Sequence, residues 1–250
     1  LIVPSKTNGI GLVFNSSVYV EELYKFNKAS EDINKDSYIV NNKLKNVVEF
    51  NNVNFRYFNS DEPIFNDLNL NIRKNIHTVI TGPNGSGKST LLGLIAGIYT
   101  PSSGTVSVNT PKIGYVGVTP LVFEGTIRDN LLYGNKKNIE DAYLEQIIKE
   151  FNFFTEKKID LDYQVNNKTL SSGQLQKISF MRSFLNDTNL LLLDESTANI
   201  DTESKKHIRE ILKKKNITVI NCTHNIEDFD FEERFVVSLE NGQRAIKNFN

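Results

Sequence analysis

The chain has 250 residues with balanced charge: 29 Lys plus Arg against 30 Asp plus Glu, with one Cys and no Trp. At 39% hydrophobic and 24% charged residues it has the composition of an ordinary globular protein, which excludes collagen-like, low-complexity and fully disordered classes. A net charge of −1 gives no support to a nucleic-acid partner. The lone Cys222 excludes an intrachain disulfide and favours a reducing, cytosolic compartment. No apolar run approaches the roughly 18 to 20 residues of a membrane span.

The first 45 residues differ in pattern from the rest of the chain. Apolar side chains over residues 10–24 form an irregular helical stripe, and residues 27–46 form a polar tract. We therefore predict one amphipathic helix and a linker over residues 1–45, without a core of their own. Since the chain begins with Leu rather than Met, we expect this stub to follow other segments of a longer polypeptide.

Strand-like alternation begins at Val47. Residues 47–50, 53–57 and 68–72 are typical of strands, and they predict an N-terminal antiparallel β subdomain. After residue 78, apolar strands alternate with helices, which indicates an α/β domain with a mainly parallel sheet. Between about residues 120 and 185 helical patterning dominates, including residues 139–151, and predicts an α-helical insert subdomain.

A glycine-rich segment follows the strand at residues 78–80. Residues 82–90 match the phosphate-binding pattern G-x-x-x-x-G-K-[ST], and a helix-forming run comes directly after them. Glycines allow backbone N–H groups to surround phosphate oxygens, and the N-terminus of the helix adds its dipole. We predict that Lys88 reaches the β- and γ-phosphates and that the Ser89 hydroxyl binds Mg²⁺. The other predicted nucleotide contacts in this loop are Asn84, Gly85, Ser86, Gly87 and Thr90.

This loop predicts a P-loop NTPase core that binds a nucleotide and Mg²⁺, but kinases, GTPases, helicases and transport ATPases all share it, so the loop alone does not identify ATP as the nucleotide. Two further motifs narrow the class: Leu-Ser-Ser-Gly-Gln at residues 170–174, and the apolar run 190–193 that ends in Asp194 and Glu195. This order resembles the ATP-binding cassette (ABC) ATPases. The resemblance covers about residues 47–250 and implies an ABC ATPase domain over residues 46–250. An aliphatic run of this kind is typical of a strand buried on both faces. Asp194 at its end is placed to hold Mg²⁺, and Glu195 to polarise the attacking water.

The resemblance implies roles for residues outside these motifs. It implies that Tyr57 stacks on adenine, that His224 contacts the γ-phosphate, and that Asp201 lies in a loop crossing to a partner subunit. In this family the signature motif faces nucleotide bound by a second nucleotide-binding domain, so a homo- or heterodimer is implied. The residues that would act in trans are Ser171, Ser172, Gly173 and Gln174.

Three positions depart from the family pattern. Val118 stands where the family usually has a Gln that binds Mg²⁺ and the attacking water, and Val has no donor or acceptor in its side chain. Ser172 replaces the first of two signature glycines. Residues 164–168 lack the Glu-Arg pair that exporters often carry before the signature. We expect catalysis to survive in reduced form.

Residues 123–131 resemble the segment of exporter-type ABC domains that contacts the membrane domain. The resemblance implies an ATP-hydrolysing motor domain at the cytoplasmic face of a membrane, with a transmembrane domain as partner and no nucleic acid. The alternative is a module that dimerises on ATP with little turnover, because of Val118 and Ser172. A soluble ABC ATPase of DNA repair or translation is disfavoured by the sequence of residues 125–130 and by the near-neutral net charge of the chain.

Overall fold

The computed structural model describes residues 37–58, 60–135, 137–154, 160–228, 230–240 and 243–249. The helix predicted near the N-terminus lies outside the described residues. Among the described residues, no helix combines the length and apolar character needed to cross a bilayer. The strands are β1 (Tyr38–Val40), β2 (Asn46–Phe55), β3 (Phe65–Arg73), β4 (His77–Thr81), β5 (Ser103–Val108), β6 (Ile113–Val116), β7 (Gly125–Thr126), β8 (Gln164–Val165), β9 (Leu190–Asp194), β10 (Thr218–Cys222), β11 (Glu233–Glu240) and β12 (Gln243–Asn248). The helices are α1 (Lys88–Ile95), α2 (Ile127–Leu132), α3 (Asp141–Glu150), α4 (Ser172–Leu185) and α5 (Thr202–Lys214).

The first sheet has four strands in the order β1-β5-β2-β3. Strand β2 is antiparallel to both β3 and β5, as the alternation in the sequence predicts. Strand β1 pairs in parallel with β5, with Tyr38 opposite Val106. The tract assigned to the linker thus contributes an edge strand, which is a correction: three residues are too few to show a periodic pattern, and their partner lies far away in the sequence. A unit boundary near residue 46 stays a prediction.

The second sheet has six strands in the order β12-β11-β4-β10-β9-β6 and is parallel except for the β11–β12 pair. Strand β9 lies between β10 and β6, and its five residues are all buried. Leu190 and Leu192 belong to one hydrophobic core, and Leu191 and Leu193 to another. Since successive side chains of a strand point to opposite faces, a strand covered on both faces needs an unbroken aliphatic run.

The two cores occupy opposite faces of this parallel sheet. One contains the four-stranded sheet and the buried side of α1. The other contains the apolar side chains of α2 to α5, so the predicted helical insert packs against the second face. Helix α3 falls within the predicted residues 139–151. The insert is not free of strands, however, because β7 and β8 form a short antiparallel pair across it.

An ion pair joins the two sheets. Glu233, at the start of β11, is 3% exposed, and its carboxylate accepts hydrogen bonds from Arg73 Nε at 3.0 Å and Thr78 Oγ1 at 3.1 Å. Arg73 ends β3 of the first sheet and Thr78 lies in β4 of the second. A buried carboxylate needs such donors, because desolvation of the charge is otherwise unfavourable.

We expect Arg73→Ala to lower the free energy of unfolding by about 2 kcal/mol, because it leaves a buried carboxylate without its cationic donor. Denaturant unfolding measures this change. In a Glu233→Gln background the same substitution should have a smaller effect, and equal losses in both backgrounds would contradict the assignment.

Candidate nucleotide-binding site

The phosphate-binding loop connects β4 to α1. Gly87 is the N-cap of α1 at φ 101°, a left-handed conformation that favours glycine, and a Cβ there would lie 3.1 Å from Phe65 Cζ. The first N–H groups of the helix have no intrahelical acceptors and point toward the loop. The predicted contacts Asn84 and Gly85 are exposed, whereas Ser86 and Thr90 are buried. The loop therefore has the form of an anion cradle.

Two side chains of the loop are suited to a phosphate. Lys88 Nζ donates to the carbonyl oxygens of Gly82 at 2.9 Å and Pro83 at 3.1 Å, so its ammonium group lies over the loop. The buried Ser86 hydroxyl has no hydrogen-bond partner among the described residues. A phosphate oxygen would satisfy both groups, because an ammonium and a hydroxyl can each donate to it.

The two residues predicted to bind Mg²⁺ are in direct contact. The Ser89 hydroxyl donates to Asp194 Oδ1 at 3.0 Å, and the Tyr115 hydroxyl donates to Oδ2 at 2.8 Å. Asp194 is 3% exposed; burial raises the pKa of its carboxyl, while the two hydroxyl donors act in the opposite direction. Hydroxyl and carboxylate oxygens are the hard donors that Mg²⁺ prefers, so this pair fits the ion.

Glu195 and His224 meet at the ends of β9 and β10. His224 Nε2 lies 2.9 Å from Glu195 Oε1, and both side chains are partly open to solvent. Glu195 has φ 49°, and its N–H donates to the carbonyl of Cys222 at 2.9 Å. A left-handed non-glycine residue is strained, and such strain concentrates at functional sites. This turn directs Glu195 away from the buried position of Asp194.

Tyr57 lies beside the phosphate loop. Its hydroxyl and that of Thr90 share a hydrogen bond at 2.6 Å, and its ring packs edge-to-face on Phe55 and Tyr99. The ring is therefore anchored to helix α1. The predicted stacking of Tyr57 on adenine stays a prediction.

The signature residues form the N-terminus of α4. Ser171 is the N-cap and forms a capping box with Gln174, in which each side chain bonds the backbone N–H of the other residue. Ser171 and Ser172 are exposed. Gly173 contacts the loop after Glu195 so closely that a Cβ would lie 2.9 Å from the carbonyl oxygen of Asn199. The signature and this loop thus pack together within one chain.

Asp201 ends that same loop and caps α5. Its carboxylate accepts from Ser204 N–H at 2.8 Å and the Ser204 hydroxyl at 2.7 Å. Lys177 Nζ, from α4, lies 3.4 Å from Asp201 and donates to the carbonyl of Asn152. Burial raises the pKa of Asp201, but the bonds from Ser204 and the charge of Lys177 outweigh it and lower the pKa to about 2.

Comparison with known proteins agrees with this geometry. The family model described as "ABC transporter" matches residues 65–198, more than half of the chain. The chain belongs to the ABC transporter family. The structure of a bacterial Atm1-family ABC exporter with ATP bound superposes with a TM-score of 0.73 at 22% identity, over 90% of this chain and 43% of that one. The predicted fold class, a P-loop core with a mainly parallel sheet, a β subdomain and a helical insert, is confirmed.

Several curated ABC proteins are similar to this chain. An ATP-dependent permease MDL1 of Candida albicans is 32% identical in an alignment of 227 positions that covers 80% of this chain and 33% of the relative. An ATP-dependent lipid A-core flippase of Pseudoalteromonas translucida (strain TAC 125) is 32% identical in an alignment of 234 positions that covers 85% of this chain and 40% of the flippase. The chain thus spans two-fifths or less of the length of these relatives.

The ABC position usually held by Gln has a well-defined place in this chain. The Val118 side chain is 54% exposed, and the carbonyl oxygens of Gly117 and Val118 accept from Gln176 Nε2 at 3.2 and 3.0 Å. The segment is therefore held by its backbone rather than by the side chain at position 118.

Three further residues contact the candidate site without having been predicted from the sequence. These are Tyr115 on Asp194, Gln176 on the 117–118 carbonyls, and Arg244, which donates from β12 to the carbonyl of Gly85 at 3.2 Å. Tyr115 lies in a buried strand, where a phenol is typical of core packing, and Gln176 follows the signature. Only Gln176 had a local signal, a polar residue on the buried face of a helix.

We expect Asp201→Ala to lower the free energy of unfolding by about 1 kcal/mol at pH 7, since it removes the helix cap. The lowered pKa of Asp201 means that its carboxylate stabilises the fold above the ordinary value of 3.8, and that this contribution is lost as the pH falls through about 2. The loss of unfolding free energy caused by Asp201→Ala should therefore be smaller at pH 3 than at pH 7. Denaturant unfolding of both proteins at the two pH values measures it.

Asp201→Asn is the matched control, because an amide also caps a helix and should lose less at pH 7. An Ala variant that loses the same amount at both pH values would contradict the role of the ionised carboxylate.

Proposed function

We propose that this chain binds ATP with Mg²⁺ and hydrolyses it as the motor domain of an ABC exporter. The observation that carries the proposal is the convergence of three elements at the carboxyl edge of the parallel sheet. These elements are the phosphate loop, the Ser89–Asp194 pair and the Glu195–His224 pair. In parallel α/β sheets ligands bind at this edge, where the strands end and the loops begin.

The phosphate loop supplies the binding groups. Backbone N–H groups of residues 84–90 would surround the β- and γ-phosphates, and Lys88 would exchange its two carbonyl acceptors for phosphate oxygens. The buried hydroxyl of Ser86 would gain its partner in the same step. Tyr57, held against α1 through Thr90, is our candidate for the adenine contact.

Ser89 and Asp194 would hold Mg²⁺. When bound, this ion neutralises charge on the β- and γ-phosphate oxygens. The Ser89 hydroxyl and Asp194 Oδ1 lie 3.0 Å apart, which supports binding of one ion by both oxygens. Burial of Asp194 disfavours its free carboxylate and thereby favours pairing of that charge with a cation.

Glu195 would orient and polarise the attacking water. The water oxygen forms a bond to the γ-phosphorus, the bond from that phosphorus to the β–γ bridging oxygen breaks, and the water proton passes to the carboxylate of Glu195. His224 holds the carboxylate in place through Nε2. We propose that the partly exposed imidazole also contacts the γ-phosphate.

A second nucleotide-binding domain would complete the site in trans. Ser171 to Gln174 lie at the N-terminus of a helix of 14 residues, and the first two are exposed, so N–H groups and the dipole can face a phosphate. Residues 123–131 would contact a transmembrane domain, and we propose that the chain lies at the cytoplasmic face of the membrane. Similarity to a permease and to a flippase supports a transport role.

We expect Glu195→Gln to reduce ATP hydrolysis by about 100-fold or more, because the amide cannot accept the water proton. Phosphate release measures the rate, and binding of a fluorescent ATP analogue should remain. Glu210→Gln is the matched control, since it breaks a second Glu–His pair, with His207 on α5, outside the site. A Glu195→Gln variant with more than a tenth of the wild-type rate would contradict the assignment.

The alternative function, a module that dimerises on ATP with little turnover, predicts that the wild-type chain releases no phosphate at any protein concentration.

If the chain is an ATPase, Val118→Gln should raise the rate of hydrolysis about tenfold, because it adds a polar group that can hold water and Mg²⁺. Val118→Leu controls for the change in size. No gain with Gln would show that position 118 does not limit turnover.

A further inference from the structure

The phenol of Tyr115 is joined to the carboxylate proposed to bind Mg²⁺. Its hydroxyl donates to Asp194 Oδ2 at 2.8 Å, while Ser89 donates to the other oxygen, Oδ1. Both oxygens of the carboxylate are therefore held by donors from different elements, Ser89 from α1 and Tyr115 from β6. Two such bonds restrict the carboxylate to one orientation about its χ2 angle.

The ring of Tyr115 is fixed by packing. Tyr115 is 3% exposed, and β6 pairs with β9 so that Tyr115 lies opposite Leu192, two residues before Asp194. Gly117 leaves the space that the ring occupies, since a Cβ there would lie 3.2 Å from Tyr115 Cε1. The hydroxyl thus reaches Asp194 from a rigid position.

The segment that follows Tyr115 is tied to the signature helix. Gln176 of α4 is 1% exposed and donates to the carbonyl oxygens of Gly117 and Val118. A continuous path of contacts therefore runs from α4 through the 117–118 backbone and the Tyr115 ring to Asp194. The side chain of Val118 is absent from this path, because it has no polar group and is half exposed.

We propose that Tyr115 is a positioning residue that orients Asp194 toward Mg²⁺, and that it links the 113–118 segment and α4 to the metal site in this chain. The inference rests on the proposed function, since it presumes that Asp194 is a ligand. Hydrogen-bonded partners of metal ligands commonly change metal affinity by about 10- to 100-fold when they are removed.

The test compares nucleotide affinity with and without the metal. The full chain and its Tyr115→Phe variant are titrated with a fluorescent ATP analogue in excess Mg²⁺ and in EDTA, and the ratio of the two dissociation constants gives the Mg²⁺-dependent gain. We expect Tyr115→Phe to lower this gain about tenfold, with affinity in EDTA unchanged. Tyr163→Phe, at a half-exposed tyrosine of the helical insert, is the matched control and should leave the gain at the wild-type value.

Gln176→Met provides a second variant, because it keeps the volume of the side chain but removes both donors to the 117–118 carbonyls. It should lower the same ratio by a smaller factor. Thermal unfolding shows whether Tyr115→Phe and Gln176→Met are folded. If one of them is not, the other still tests the inference.

The outcomes separate this inference from the proposed function. A wild-type chain that binds nucleotide equally well in Mg²⁺ and EDTA would overturn the metal site, and the role of Tyr115 with it. A wild-type gain that folded Tyr115→Phe retains in full would overturn the role of Tyr115 alone. If Tyr115→Phe weakens nucleotide binding by the same factor in Mg²⁺ and in EDTA, the phenol contributes to packing rather than to the metal site, and the inference is overturned.

Discussion

The arrangement of this domain depends on one buried carboxylate at the end of its central strand. Asp194 ends β9, whose five residues are buried between β6 and β10, so its carboxylate is almost completely removed from solvent. Burial of an ionised group is strongly unfavourable unless hydrogen bonds or an opposite charge compensate it. Ser89 and Tyr115 provide two such bonds. Helix α1, which follows the phosphate loop, and strand β6 are thereby both hydrogen-bonded to the carboxylate of Asp194.

The residue after Asp194 has the opposite environment. The positive φ of Glu195 turns the chain at the edge of the sheet, so its side chain is 38% exposed and meets His224. Two adjacent acidic residues can therefore serve different chemistry: the buried one is suited to a cation, and the exposed one to a water molecule. A strained backbone at this point separates the two functions over a single peptide bond.

Helix α4 connects the parts of the molecule that the proposed function requires to act together. Its N-terminus packs on the loop after Glu195 through Gly173, and Lys177 reaches Asp201 in that loop. Further along, Gln176 holds the 117–118 backbone, and the buried guanidinium of Arg182 donates to the side-chain oxygen of Asn130 at 3.0 Å. The helix that carries the signature thus contacts both the loop after Glu195 and the segment proposed to contact the membrane domain. A shift of α4 would be transmitted to both, because packed side chains resist independent movement.

The sequence by itself determined the features that lie within contiguous segments: the phosphate loop, the signature, the aliphatic strand ending in Asp194 and Glu195, and most of the strand and helix spans around them. These depend on local backbone requirements and on hydrophobic periodicity, which adjacent residues express directly. The tertiary structure alone decided that residues 38–40 extend a sheet, that Tyr57 bonds Thr90, that Glu195 adopts a left-handed backbone and that Tyr115 bonds Asp194. Each of these depends on a partner far away in the sequence. The periodic pattern of apolar and polar residues predicts strands and helices, but it does not show which distant group a given polar atom contacts.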